Sequence, residues 1–431
     1  MNTQKIAEKA QSTGKILRGL NEKDKNAALT AIMKGLRTHA GDIFAANTKD
    51  LERGENLSAP LKKRLKFQEV KLNETLAGIA ALIDIPDPIG EILSARELSP
   101  GLNLYQVRCP IGLIAMIFES RPDAAVQMSC LALKSGNSIL LKGGSEARES
   151  VKILTTIIHD SAVSAGFPAG WLGRFERREE IADILNLDHI IDLIIPRGSN
   201  EFIRYIMDNS RIPVLGHADG ICHLFIDDDA DVNMAHTLII DSKTQYTAVC
   251  NALETLLIHR DIAPQLLPEL AERLQKKSVE LRGCKRSRAI LPNITPATED
   301  DWSTEYLDTI LSIKIVDSLQ EAAAHINCYG SGHTDGIVGN NSDHAAQFMK
   351  MVDTANAFWN CSTRFSDGFR YGLGAEVGIS TQKIHARGPV GMEGLTTYQW
   401  QLIGSGNYVA AGETFTHKNI DPAQYPFAQR N

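Results

Sequence analysis

The spacing of apolar and polar positions divides the chain into stretches of different period. Residues 1 to about 82 carry apolar side chains at helical intervals, as in Leu29, Ile32, Met33 and Leu36, with charges between them, and this predicts a run of helices. From 83 to 110 that period breaks. Pro86, Pro88, Pro100 and Gly101 punctuate two short segments, 91–98 and 102–107, which predicts a hairpin. Between 111 and 226, apolar runs at 111–118, 138–141, 188–195, 212–215 and 221–226 alternate with helical patterns to Leu133, through 145–164 and after Gly198. Short buried strands alternating with helices predict a parallel sheet covered on both faces. A second alternating series runs from Ala252 to about 360, with strands at 253–258, 311–316 and 336–338. A glycine-rich stretch at 371–395 then leads into a final strand at 396–403.

Composition narrows the class. A chain of 431 residues is long enough for two or three domains, and 43% hydrophobic with 23% charged residues is ordinary for a soluble globular protein. A net charge of −7 argues against a general nucleic-acid binder. The amino terminus has no apolar core of signal-peptide length, and the longest apolar run, 111–118, is far too short to cross a bilayer. Seven cysteines without a CxxC pair predict free thiols in a reducing cytoplasm.

Cys250 lies in a run of small and polar residues directly ahead of the strand at 253–258. A thiol that does covalent chemistry must be reachable and must ionise near neutral pH; a thiol that only packs needs neither. Cys109, Cys130, Cys222, Cys284, Cys328 and Cys361 sit in apolar or turn surroundings and read as packing thiols. Two strand–turn–helix patterns offer backbone N–H groups suited to phosphate: 135–147, with Lys142 and Ser145, and 195–200, with Gly198 and Ser199. Either could equally be an ordinary turn, and neither is GxGxxG. At the end of the strand 111–118, Glu119 reads as a structural ion-pair partner and Arg121 as an anion clamp. His217 and His223 flank Asp219 and Cys222, but no second ligand pair follows and no metal is expected. The acidic run 227–229 reads as a solvated turn.

On the blocks PIGLIAMIFESRPDA (110–124), KSGNSILLKGGSEA (134–147), IPRGS (195–199), VCNALETLLIH (249–259) and the long run 362–395, the chain resembles the γ-glutamyl phosphate reductase (glutamate-5-semialdehyde dehydrogenase) family of the aldehyde dehydrogenase superfamily. The resemblance extends from the early helices to about residue 406. The wording at 215–223 and 360–372 is similar to the reductase half of the eukaryotic bifunctional pyrroline-5-carboxylate synthase. This chain has no kinase half, which implies a separate glutamate 5-kinase as the source of the acyl phosphate.

The resemblance implies an α/β, aldehyde dehydrogenase-like fold. Its parts would be a doubly wound parallel-sheet NADP-binding domain (1–89 and 110–236), an α/β catalytic domain (237–394) and a β-hairpin oligomerisation flap (90–109 and 395–412). It implies Cys250 as nucleophile, and Lys142, Ser145, Gly198, Ser199 and Glu305 as residues for NADPH. Arg121 is the candidate for the substrate phosphate, and Ser362, Thr363 and Arg364 for the glutamyl carboxylate or the phosphate; a bidentate guanidinium fits either anion. Two departures from hydrolytic aldehyde dehydrogenases stand out. Gly216 falls where those enzymes carry a water-activating Glu, and Arg121 falls where they carry an oxyanion-hole Asn.

The implied reaction is NADPH-dependent reduction of L-glutamate 5-phosphate to the semialdehyde and phosphate, through a thioester on Cys250. Backbone N–H groups would stabilise the oxyanion by about 3 kcal/mol each. The aldehyde would cyclise to pyrroline-5-carboxylate and feed proline synthesis. The implied setting is a cytoplasmic homo-oligomer with no nucleic-acid or membrane partner. Two other readings stand beside this one: an NAD-linked hydrolytic aldehyde dehydrogenase, and a non-catalytic cofactor-binding partner of a glutamate kinase.

Overall fold

The computed structural model describes residues 3–57, 59–177, 179–216, 219–373, 376–409 and 415–427. His217, residues 374–375 of the long family block and residues 410–412 of the expected flap lie outside these. The chain divides into two compact units, Met1–Leu215 with Gly391–Asn431, and Gly216–Val390.

The first unit begins with the expected helices, Thr3–Leu17, Glu22–Thr38, Ala40–Arg53, Ala59–Leu65 and Glu69–Asp84. Glu22–Thr38 shows why the pattern folds so. Asn21 and Asp24 form a reciprocal capping box at its start, and Ala28, Leu29, Ile32 and Leu36 make its buried stripe. Behind the helices lies a four-stranded parallel sheet in the order Leu172–Phe175, Ser138–Gly143, Leu113–Phe118, Leu193–Arg197. The two central strands are buried at every position, which is why they read as continuous apolar runs rather than alternations. The expected hairpin is present as the antiparallel pair Ile92–Ser99 and Leu102–Pro110, and Thr396–Ile403 adds along the second strand, with Thr397 opposite Cys109. Lys418–Asn419 completes this four-stranded sheet, in which Thr396–Ile403 is an edge.

The second unit is built on seven parallel strands, in the order Thr295–Pro296, Glu280–Gly283, Ile310–Val316, Leu253–His259, Cys222–Ile226, Thr334–Val338, Asn356–Trp359. One face packs Leu256, Ile258 and Ile313 against Ile239, Leu266 and Leu270 of the helices Val232–Thr244 and Ala263–Gln275. Another cluster joins Phe225, Leu257 and Ile337 to Ile326 and Phe348 of Leu319–Tyr329 and Ser342–Met351.

The sequence pattern runs the first α/β series through 226 and its domain to 236. In the structure Cys222–Ile226 pairs with Leu253–His259 and Thr334–Val338, so it belongs to the second unit's sheet, and the division falls after Leu215. A buried strand reads the same in either sheet. Its partners, about 30 and 110 residues away, are invisible to local periodicity. Among the described residues no helix is long and apolar enough to cross a membrane.

Candidate active site

Cys250 sits in the connection between Val232–Thr244 and Leu253–His259, where the N–H of Ala252 donates to the carbonyl of Val249 at 3.1 Å. The segment 362–366 straps this connection in place. Thr363 Oγ1 donates to the Asn251 carbonyl at 2.8 Å, Asn251 Nδ2 donates to the Ser366 carbonyl at 2.7 Å, and Arg364 Nε donates to Gln245 Oε1 at 2.9 Å. Ser242 ties its far end: it donates to Ser362 Oγ at 3.1 Å and accepts the Thr363 N–H at 3.1 Å. On another side Cys222 Sγ donates to the Cys250 carbonyl at 3.2 Å. Gly220 approaches so closely that a β-carbon there would collide with the Cys250 carbonyl oxygen, Cα and Cβ.

Charges around the loop are unusually buried. Arg364 is 8% exposed. Burial, then the like charge of Arg370, lowers its proton affinity, against the opposing pull of Asp367, Cys250 and Asp241. The guanidinium therefore stands within electrostatic reach of the Cys250 sulfur. Lys243 and Glu254, both side chains fully buried, pair at 2.6 Å. Burial pushes the Glu254 carboxyl up to about 7 and lowers the Lys243 ammonium, each resisted by its partner's charge. Half-buried Glu305 shares this neighbourhood, since its charge acts on both Glu254 and Cys222. Burial, and then the surrounding acids, hold the Cys222 thiol well above its ordinary range. Behind Cys222, His333 Nδ1 lies 3.6 Å from its sulfur, and His223 Nδ1 pairs with Asp335 Oδ1 at 2.8 Å in full burial.

The first unit carries the other expected residues. Lys142, the penultimate residue of Ser138–Gly143, is 4% exposed, and its Nζ donates to the Gly143 carbonyl at 2.6 Å. A cleft at this strand end is lined by Gly143, Gly144, Arg148, Arg174, Phe175 and Glu176. Ser145 is exposed at the start of the short 3-10 turn that follows. Ser199 caps the helix Asn200–Asn209, and its N–H donates to Glu119 Oε2 at 2.9 Å. Glu119 thus joins two strand ends through a backbone donor, while the carboxylate beside Arg121 is Asp123, at 3.9 Å. Arg121 occupies the N-cap of Pro122–Lys134 with its side chain 42% exposed. Ser120, immediately before it, adopts a positive φ of 43° and donates through both N–H and hydroxyl to Glu146 Oε1, at 2.6 and 2.8 Å. Such strain in a non-glycine residue persists where surrounding structure imposes it, commonly at functional sites.

The second unit therefore gathers Cys250, Ser362, Thr363, Arg364 and Glu305, and the first unit holds Arg121, Lys142, Ser145, Gly198 and Ser199. The Ser362 and Thr363 hydroxyls are engaged by the protein: Ser362 Oγ accepts from Ser242 and from the Arg364 N–H, and Thr363 donates to Asn251. Of His217 and His223, the first lies outside the described residues and the second is committed to Asp335. The solvated turn expected at 227–229 is only partly so. Asp227 is 2% exposed and meets His344 Nδ1 at 2.6 Å, and Asp229 Oδ1 accepts the Asn340 N–H at 2.9 Å. Gly220, Lys243 and Glu254 carry no motif that singles them out in the sequence, and Cys222 reads there as a packing thiol. A sequence signal existed for one pair: Lys243 and Glu254 are opposite charges flanking Cys250, the second just ahead of the apolar run 256–258.

Comparison with known proteins shows the family. The aldehyde dehydrogenase family profile matches residues 1–287. A γ-glutamyl phosphate reductase of Pelotomaculum thermopropionicum is 56% identical over 427 residues, covering 98% of each chain. That of Acetivibrio thermocellus is 57% identical over 408 residues, 93% of this chain and 94% of its own. The crystal structure of γ-glutamyl phosphate reductase from Thermotoga maritima superposes with a TM-score of 0.93 at 39% identity, over 95% of this chain and all of that one. An acetylating aldehyde dehydrogenase from Geobacillus thermoglucosidasius, 16% identical over 94% of this chain and 97% of its own, shares the fold with a TM-score of 0.63.

Proposed function

The chain belongs to the γ-glutamyl phosphate reductases of the aldehyde dehydrogenase family, and we propose that its chemistry is carried by Cys250 with Arg364 beside it. It reduces L-glutamate 5-phosphate to L-glutamate 5-semialdehyde with release of phosphate, a step in proline biosynthesis. The observation that carries the site assignment is the strap 362–366, which brings a buried guanidinium to the loop of a half-buried thiol.

Cys250 as thiolate attacks the acyl carbon: a C–S bond forms, the carbonyl electrons move to oxygen, and their return expels phosphate and leaves a thioester. Arg364 serves the cysteine as a cationic neighbour and the substrate as an anion partner; a guanidinium binds phosphate or carboxylate in the same bidentate way. Ser362 and Thr363 act through the loop they hold. Arg121, exposed at the N-terminus of Pro122–Lys134, is the second cation for the substrate's anions. Because Gly216 takes the place of a water-activating carboxylate, the thioester is kept for reduction instead of hydrolysis.

The residues of the first unit fit a phosphorylated dinucleotide. The cleft at the end of Ser138–Gly143 has glycines at Gly143 and Gly144, where backbone can approach a ligand, and the guanidinium groups of Arg148 and Arg174, both paired with Glu176. Lys142, Ser145, Gly198 and Ser199 would hold NADPH, with Glu305 at its nicotinamide end. NADPH supplies the hydride that takes the acyl group to the aldehyde level.

The domains of this reading are a cofactor domain in the first unit, to Leu215, a catalytic domain in the second, Gly216–Val390, and a flap at 90–109 and 395–412. A flap role in self-association is supported by Tyr398, Trp400 and Leu402. They are exposed at alternate positions, hence on one face, of the edge strand Thr396–Ile403. The protein works in the cytoplasm as a homo-oligomer, supplied by a separate glutamate 5-kinase.

The test is reduction of NADP+ by glutamate semialdehyde with and without inorganic phosphate. Strict phosphate dependence supports acyl-phosphate chemistry; full rate without phosphate identifies a hydrolytic aldehyde dehydrogenase instead.

A further inference from the structure

We infer that Cys222 is a positioning residue for Cys250: its thiol fixes the plane of the Cys250–Asn251 peptide and so aims the Asn251 N–H at the oxyanion formed during acyl transfer. The inference rests on the reading of Cys250 as the nucleophile.

The strand Cys222–Ile226 sets the geometry. Its parallel pairing with Leu253–His259 is irregular at its first residue: Cys222 faces Leu253, but His223 faces Thr255, so Glu254 is the extra residue. Such irregularities re-aim side chains at the end of a strand. Here Glu254 goes to Lys243 at 2.6 Å, and the Cys222 sulfur, fully buried, donates to the Cys250 carbonyl at 3.2 Å. A thiol can donate only while protonated, and burial among acidic groups keeps this one so.

A trans peptide is planar, with its C=O and the following N–H pointing in opposite directions. Fixing the Cys250 oxygen toward Cys222 therefore directs the Asn251 N–H away from the buried sulfur. The next peptide is fixed as well, because the Asn251 carbonyl accepts from Thr363 Oγ1 at 2.8 Å. Gly220, against the Cys250 backbone, leaves the loop no room to slide. Two adjacent peptide planes are thus held from opposite sides of the sequence, by a thiol and a hydroxyl. A backbone donor aimed in advance at a developing oxyanion is what acyl transfer requires.

The test uses the full-length protein with Cys222→Ala, Cys222→Val (which fills the site without a donor), Cys222→Ser and, as control, Cys250→Ala. Three quantities are read: kcat and KM in the phosphate-dependent reaction, the pH profile of Cys250 alkylation by iodoacetamide followed on its peptide, and the thermal midpoint. Alkylation displaces iodide and creates no oxyanion, so it reports on the thiolate alone. Cys222→Ala and Cys222→Val are expected to lower kcat about tenfold or more, since a misaimed group costs on that scale. KM and the alkylation profile should stay near wild type, and Cys222→Ser should recover most of the rate. Wild-type kcat in both donor-free variants overturns the inference. So does a fall in kcat matched by slower alkylation, which marks a loosened loop, or failure of Cys222→Ser to recover. Persistent turnover in Cys250→Ala would instead overturn the nucleophile reading.

Discussion

Gly220 and Cys250 touch through backbone: a β-carbon on the glycine would overlap the carbonyl oxygen, Cα and Cβ of the cysteine. These atoms cannot swing aside as a side-chain tip could, so any larger residue must displace the Cys250 loop. Gly220→Ala is expected to lower kcat/KM by about a hundredfold, as small displacements of reacting groups do, and to destabilise the fold by about 1–3 kcal/mol. Steady-state kinetics and urea unfolding of the variant check both figures.

Arg364 contributes shape as well as charge. Its Nε is held by Gln245, which orients the guanidinium plane. Arg364→Lys keeps the charge and loses the fork, so it should not rescue. Both Arg364→Ala and Arg364→Lys are expected to reduce kcat/KM at least about tenfold, by the 1.5–3 kcal/mol of a charge-assisted hydrogen bond. Titrating phosphate in the reverse reaction locates the loss. If the Lys variant matches wild type in phosphate KM and kcat, the guanidinium is not the anion partner.

The Lys243–Glu254 pair is fully buried, and removing one partner strands the other charge. Lys243→Met is expected to destabilise by about 3–5 kcal/mol, whereas the double variant Lys243→Met, Glu254→Leu should cost much less, because no charge is left unpaired. Denaturant unfolding of the two variants, compared as a double-mutant cycle, decides this.

His325 sets an acid limit on stability. Burial, aided by the charges of His223 and Lys314, lowers it to about 3, and Lys314 Nζ donates to its Nδ1 at 3.0 Å. Because its folded value lies below the ordinary 6.5, its contribution is complete above about pH 6.5 and is lost as pH falls toward 3. The unfolding free energy should therefore decline with acidity over that window, and His325→Gln should decline less steeply. Parallel curves for the two proteins would assign the acid sensitivity elsewhere.

Legibility in the sequence followed locality. Leu113–Phe118, Ser138–Gly143 and Leu253–His259 could be read because complete burial writes an apolar run. Leu172–Phe175 and Glu280–Gly283 could not: short strands containing Arg174, Glu280 and Arg282 carry too little apolar signal. The motifs around Cys250, Lys142 and Arg364 announced a site, but the hydrogen bonds between Asn251 and 363–366 span more than a hundred residues. Cys222 was the clearest loss. In sequence it is one more strand cysteine, and its contact with the Cys250 carbonyl joins positions 28 residues apart.

Cys250 as the covalent nucleophile is the claim on which the rest depends. The direct measurement is phosphate-dependent NADP+ reduction by glutamate semialdehyde in wild type and Cys250→Ala, with NADPH binding followed in parallel by fluorescence. Loss of turnover by about four orders of magnitude or more, the scale seen when a covalent nucleophile is removed, with NADPH binding retained is the predicted result. Substantial phosphate-dependent turnover in Cys250→Ala would contradict it.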